Sequence, residues 1–221
     1  MRFARWFLPV IAATLFAAPA FAEGRIVVAG LRMDPTDADA RNYSRPGWGG
    51  MVEVVAPLPV PARVVAGVFG VDIVNLMSKT VKFREASTGL RIEQQTSQNY
   101  MRVYLGGQLG SHSRGLLRPY AGADVAVVLY DISTDVVVPD DRNRENEIRQ
   151  NLRDENRAAF GWDANAGIDF NFDRFSIDAG VRVLHSYGVP QQLGAGAVTI
   201  QPGYVQYKLG VGVPFHALTK H

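Results

Sequence analysis

"AAFGWDANAGIDFNFDRFSIDAGVRVL", residues 158 to 184, alternates almost without a fault. From Phe160 every second residue is apolar (Phe160, Trp162, Ala164, Ala166, Ile168, Phe170, Phe172), and Gly161, Asp163, Asn165, Gly167, Asp169, Asn171 and Asp173 fall between them. A repeat of two puts these sets on opposite faces of a β-strand. Asp173-Arg174 then offers a two-residue turn into a second alternating run, Phe175 to Tyr187. The pair reads as a hairpin with one greasy face and one face of aspartate, asparagine and glycine.

Similar runs bounded by turn residues recur along the chain. They predict strands at Arg25 to Met33, about Gly47 to Pro57, about Arg63 to Val74, about Ser97 to Gly110, Arg118 to Ser133, Ala158 to Phe172, Phe175 to Tyr187 and about Gly203 to Pro214. The connections alternate in length. "LPVPA", "SHSRGLL" and Asp173-Arg174 are short, whereas "DPTDADARNYSRP", residues 75–96, residues 139–157 and "GVPQQLGAGAVTIQP" are long. In an up-and-down meander alternate connections share an end, so the long ones gather at one rim and the short ones at the other. A transmembrane barrel has that asymmetry.

Alternation alone leaves open which way the apolar face points, since a soluble barrel alternates with the opposite sense. The order of side chains along that face discriminates. In the sixth strand the aromatics Phe160, Trp162, Phe170 and Phe172 sit at the two ends, with Ala164 and Ala166 between; the seventh has Phe175 and Tyr187 at its ends and Ile177, Ala179, Val181 and Val183 between. A protein core would hold its bulk at the centre, while lipid-facing strands carry aromatic girdles at the two interfaces. Phe160 to Phe172 covers roughly 40 Å of strand, which a tilt of about 40° projects to roughly 30 Å along the membrane normal. The fold predicted is all-β: an eight-stranded antiparallel up-and-down transmembrane β-barrel.

The other face then lines a narrow lumen with Glu53, Asp72, Arg102, Asp124, Asp163, Asp169, Asp178, Arg182 and Lys208. Eight strands leave room only for side chains, so these charges should pair with one another as a plug. A tight turn at Asp173-Arg174 sets Phe172 opposite Phe175 and Asp169 opposite Asp178. Two opposed carboxylates repel, and a cation from Arg102, Arg182 or Lys208 is expected between them.

The ends bound the cellular setting. Residues 1–22 put Arg2 and Arg5 ahead of an apolar run that ends Ala20-Phe21-Ala22, which reads as a cleaved secretory signal peptide; the run is short for a bilayer span. Those two arginines account for the whole formal charge of +2, so the remainder is neutral, and no basic cluster suited to nucleic acid appears. The chain has no cysteine. Residues 23–215 form the barrel domain on this reading, and 216–221 a short periplasmic tail.

With these strands and girdles, densest in "RPYAGADVAVVLY", residues 159–184 and "YVQYKLGVGVPF", the chain resembles the small eight-stranded outer-membrane β-barrels of Gram-negative bacteria, the group of OmpA-type transmembrane domains and opacity-like proteins. The resemblance implies location in the outer membrane, contact with its lipid and lipopolysaccharide, a monomer, and insertion by the barrel-assembly machinery, which reads a terminal aromatic. Phe215 continues the outward alternation of Val211 and Val213 and is the candidate for that signal.

The function expected is structural or surface-interacting. The alternatives are a lipid A-modifying enzyme, deacylase or acyltransferase, and a narrow channel for small solutes. His185 in "VLHSYG" is the one weak catalytic candidate, but its neighbour Ser186 points to the opposite face of the strand, so the two make no nucleophile and base pair. His112, His216 and His221 lack a second ligand at metal spacing, and "GAGA" at 194–197 lacks the Lys-Ser/Thr of a phosphate loop. No metal or cofactor is expected. The charged stretch 140–157, with Arg149 and Arg153 at helical spacing, reads as a short outer helix that could meet lipopolysaccharide phosphates or, more plainly, as a solvated loop.

Overall fold

The computed structural model describes residues 24–58, 65–84, 91–110, 115–138, 148–172, 174–193 and 196–215. Residues 1–23, with the expected signal peptide, the expected tail 216–221, His112, residues 85–90 and 139–147 and most of the short turns lie outside the described residues. Eight strands close into one antiparallel barrel: β1 (Arg25–Pro35), β2 (Gly47–Pro57), β3 (Val65–Arg84), β4 (Arg91–Leu109), β5 (Leu117–Val138), β6 (Ile148–Asn171), β7 (Ser176–Tyr187) and β10 (Gly203–Pro214). Neighbours in sequence are neighbours in space, and β10 returns to β1, where Arg25 stands opposite Pro214. Closure leaves no open edge around the barrel wall. Among the described residues no helix is long and apolar enough to cross a membrane.

The central hairpin folds as its alternation dictates. Phe172 N–H donates to the Phe175 carbonyl at 2.8 Å, and their rings stack at 5.1 Å between centroids. From there the register runs back through Asp169 opposite Asp178 and Trp162 opposite His185 to Phe160 opposite Tyr187.

Several boundaries differ from the sequence reading. Four consecutive strands, β3 to β6, run 20, 19, 22 and 24 residues, against 11 or 12 for β1, β2, β7 and β10. Within the stretches 75–96 and 139–157, read as loops, residues 75–84, 91–96 and 148–157 continue the strands, and the pairing of each arm is shifted by an irregularity, at Leu76/Lys79 and at Thr134/Asp135. Residues 148–157 are strand and not helix. The helical spacing there was overridden by pairing with β5, where Ile132, Thr134 and Val136 to Val138 are β-branched. These arms extend as a four-stranded sheet roughly 30 Å beyond the rim formed by the shorter strands.

Two other long connections carry structure of their own. In the first, a short helix α1 (Ala38–Tyr43) is capped by Asp37, whose side chain accepts from Ala40 N–H at 2.7 Å. Ala40 is buried, which tucks the helix over the outer end of the barrel. In the last, β8 (Val189–Leu193) and β9 (Gly196–Ile200) form a small separate hairpin.

Candidate functional site

The barrel is inside-out relative to a soluble protein. Val28, Ile73, Leu105, Val125, Val127, Val183 and Leu209 are exposed, while Glu53, Asp72, Asp124, Asp163, Asp169, Asp178, Arg102, Arg182 and Lys208 are buried. All of the outward aromatics of the central hairpin, Phe160, Trp162, Phe170, Phe172, Phe175 and Tyr187, are exposed. Trp162 Nε1 donates to the Tyr187 hydroxyl at 3.0 Å, and His185 lies outward beside them, its ring 4.7 Å from that of Tyr187 and 6.2 Å from that of Trp162. Ser186 faces inward and accepts from the Tyr130 hydroxyl at 3.1 Å, so the strand separates it from His185.

The apolar belt has a sharp outer limit on the long strands. Asn75, Asn99, Asp131 and Asn156 follow one another in register across β3, β4, β5 and β6, directly above Ile73, Met101, Leu129 and Ala158 on the same outward face. The Asn75 amide donates to Asn99 at 2.7 Å. Beyond that row come ion pairs of Glu93 with Lys82, 3.2 Å, and Arg91, 3.0 Å. On the short side Trp48 and Arg32 mark the limit, with the guanidinium 5.5 Å from the indole ring.

Inside, the charged residues form one connected chain. Arg182 pairs with Glu53, which also accepts from the Tyr104 hydroxyl at 2.8 Å and from Lys208 at 3.3 Å. Arg102 meets Asp72 through Nε at 3.0 Å and Nη2 at 2.8 Å and pairs with Asp163 through Nη1. Arg182 stands 3.9 Å from both Asp72 and Asp163 and so bridges the two sets. The Tyr104 ring packs against both guanidiniums, at 4.2 and 4.5 Å. Charges this far from water persist only when paired and hydrogen-bonded.

The facing aspartates of the central hairpin have their cations. Lys208 Nζ is 3.0 Å from Asp178, which makes it the member of the expected trio that serves there. Arg102 and Arg182 serve the other carboxylates instead. The second cation is Arg25, 2.5 Å from Asp169 and 3.7 Å from Asp178, which the sequence reading passed over as the first residue of a strand. Its parity with Val27 and Ala29 was the available signal.

Tyrosines are the other group missed. Tyr104 opposes Gly70 in register, and a Cβ on that glycine would stand 2.3 Å from its ring; the missing side chain lets Tyr104 cross β3 to reach Glu53 on β2. Tyr100, Tyr130 and Tyr204 gather at the outer end, with ring centroids 5.3 and 5.9 Å from that of Tyr100. Around them Met33, Leu31, Val74, Leu76 and Leu184 are buried, and Ser44 at the end of α1 donates to the Tyr204 hydroxyl at 3.4 Å. The lumen is therefore layered, not polar throughout: an aromatic and aliphatic layer beneath α1, then the charged network. "RIVVAGLRM" sends Val27, Ala29, Leu31 and Met33 inward, a strand with apolar residues on both faces, where alternation alone marks no polar side. Among the described residues no group of His, Cys, Asp or Glu gathers as a metal site.

No family model and no curated protein matches the chain. Solved structures do. The chain is similar to Neisserial surface protein A, with a TM-score of 0.56 at 10% identity over 87% of this chain and 97% of that one. It is also similar to the attachment invasion locus protein of Yersinia pestis, TM-score 0.46 at 13% identity over 87% and 98% of the two chains. A major outer membrane protein from Thermus thermophilus matches with TM-score 0.47 at 10% identity over 86% and 98%. The first of these likenesses carries the fold: a closed eight-stranded antiparallel barrel of the small outer-membrane type.

Proposed function

From a chain with the fold of the small outer-membrane barrels, we propose an integral protein of the bacterial outer membrane, monomeric, with a lumen plugged by its own side chains and a structural or surface-interacting role. The observation that supports it most is the inverted distribution of polarity. Arg25, Glu53, Asp72, Arg102, Asp163, Arg182 and the other lumen charges are buried, while an apolar belt rimmed by Phe160, Trp162, Phe170, Phe172, Phe175 and Tyr187 faces outward. Water on that belt would leave a large unbroken apolar surface of a kind soluble monomers do not tolerate; hydrocarbon removes the penalty.

Burial of Arg102, Arg182 and Glu53 at 1% exposure or less supports a plug over a conducting pore. The long arms of β3 to β6 are the part that would project past the lipid surface, which makes them the surface for outer contacts. Lipopolysaccharide is the lipid partner proposed, its phosphates met by the exposed Arg32, Arg41 and Arg45 near the Trp48 rim. Insertion would use the barrel-assembly machinery with Phe215 as its signal; Phe215 N–H donates to the Gly24 carbonyl at 2.8 Å, beside the β1–β10 seam.

The deciding experiment is electrophoresis of outer-membrane fractions with and without boiling. A closed barrel keeps its shape in unheated detergent and migrates faster than the boiled chain. Recovery in the soluble fraction, or a single mobility under both conditions, would remove the proposal.

A further inference from the structure

We propose that the lumen holds one small monovalent cation of the sodium or potassium class, bound by Asp124, Asn165 and Gln108 on the wall formed by β4, β5 and β6. Two adjacent rows build the site. Gln108, Gly122 and Asn165 stand side by side in register, and next to them Gly106, Asp124 and Asp163 do the same. Both rows face inward, and Gln108, Asn165, Asp124 and Asp163 are all buried.

The glycines leave room for these side chains. A Cβ on Gly122 would meet Gln108 Cγ at 2.9 Å and Asn165 Oδ1 at 3.0 Å, so the stem of Gln108 and the amide of Asn165 flank that position. A Cβ on Gly106 would stand 2.1 Å from Asp124 Oδ1, so this carboxylate leans toward β4, beside Gln108. Asn165 Nδ2 donates to Asp124 Oδ2 at 3.0 Å and to Asp163 Oδ1 at 3.3 Å, which commits its nitrogen and leaves its oxygen free.

Those free atoms are the second observation. Gln108 is 1% exposed, and neither its oxygen nor its nitrogen has a partner; Asn165 Oδ1 and Asp124 Oδ1 also have none. Buried polar atoms without partners are costly, and three acceptor oxygens on neighbouring residues of these two rows call for a donor or a cation. Charge points to the cation. Among the described residues below the tyrosine layer, six buried carboxylates (Glu53, Asp72, Asp124, Asp163, Asp169, Asp178) face four buried bases, Arg25, Arg102, Arg182 and Lys208, with Arg118 half-buried at the edge. Against the four buried bases two carboxylates are left over, and Asp124, which accepts from the neutral Asn165 amide, is one of them. A proton on Asp124 would neutralise it and let it donate to one amide oxygen, leaving the other bare, whereas one cation of unit charge can take all three oxygens. Carboxylate and amide oxygens suit hard cations, and carbonyl oxygens replace the hydration shell of alkali ions in other proteins.

The protein purified from membranes in detergent gives the test, with its urea midpoint titrated with sodium chloride against choline chloride at matched ionic strength and ²³Na relaxation measured alongside. The midpoint should rise saturably with sodium and not with choline, and ²³Na relaxation should report a bound ion displaced by potassium. Asp124→Asn should abolish both responses. Gln108→Leu, which keeps the charge and removes one oxygen, should weaken them, and it decides the matter if Asp124→Asn does not assemble. A midpoint indifferent to sodium, or a full sodium response in either variant, overturns the site; a midpoint that moves with pH alone assigns a proton to Asp124 instead and overturns it equally.

Discussion

Tyr120 on β5 donates to Asp178 on β7 at 2.9 Å, passing over β6 to do so. It opposes Gly167, which opposes Gly180, and a Cβ on either glycine would stand 2.4 or 2.7 Å from the Tyr120 hydroxyl. The two glycines are a channel for one side chain. Gly167→Val should destabilise the barrel by about 1–3 kcal/mol through overpacking, read as a lowered urea midpoint. In a Tyr120→Ala background the same change should cost less, because the two share one clash; strictly additive losses would show that the tyrosine does not occupy that space.

Arg182 stands between the Glu53 pair and the Asp72–Asp163 set. Arg182→Met strands a buried carboxylate and should cost about 3–5 kcal/mol. Pairing it with Glu53→Leu removes the stranded charge and should recover part of that loss. If equilibrium unfolding finds the double variant weaker than the single one, the network does not work as paired charges.

The outward face predicts a depth profile. Val125 lies in the middle of the belt, and Asn99 lies in the polar row that ends it. Val125→Arg should cost about 2–4 kcal/mol and Asn99→Arg about 0–1 kcal/mol when the barrel is unfolded from lipid vesicles. Equal costs at the two positions would mean that no hydrocarbon covers Val125.

Trp48 and Trp162 are the tryptophans of the barrel, both outward and exposed near its outer end. In vesicles their fluorescence should be quenched by brominated lipid and little affected by aqueous acrylamide, with Trp162→Phe reducing the lipid-quenched part. Acrylamide quenching alone would put these rings in water.

How much of this was readable depends on the kind of interaction. The central hairpin was legible because each residue from Phe160 to Phe172 has its face set by parity alone, and the tight turn then fixes the register down to Asp169 opposite Asp178. Partner choice in the lumen was not, since it depends on which strands curl toward each other across the barrel: Arg25 and Asp169 are 144 residues apart in sequence. The same holds for Tyr104 reaching Glu53 over Gly70, where the signal was a glycine opposite an aromatic on a neighbouring strand, visible only once register is known. The arms of β3 to β6 were missed for another reason. Outside the belt polar and apolar residues stop alternating, as in the polar run Glu93 to Gln98 and the apolar run Val136 to Val138, so the pattern that marks a strand vanishes while the hydrogen-bond ladder continues.

The seam between β1 and β10 joins the two ends of the barrel sequence, with Arg25 opposite Pro214 and Pro35 opposite Tyr204. Until the last strand arrives, β1 presents a bare ladder, and Arg25 and Lys208 cannot both take their places at the facing aspartates. The final dozen residues of the wall thus do two things at once: they close the ring and bring Lys208 to Asp178.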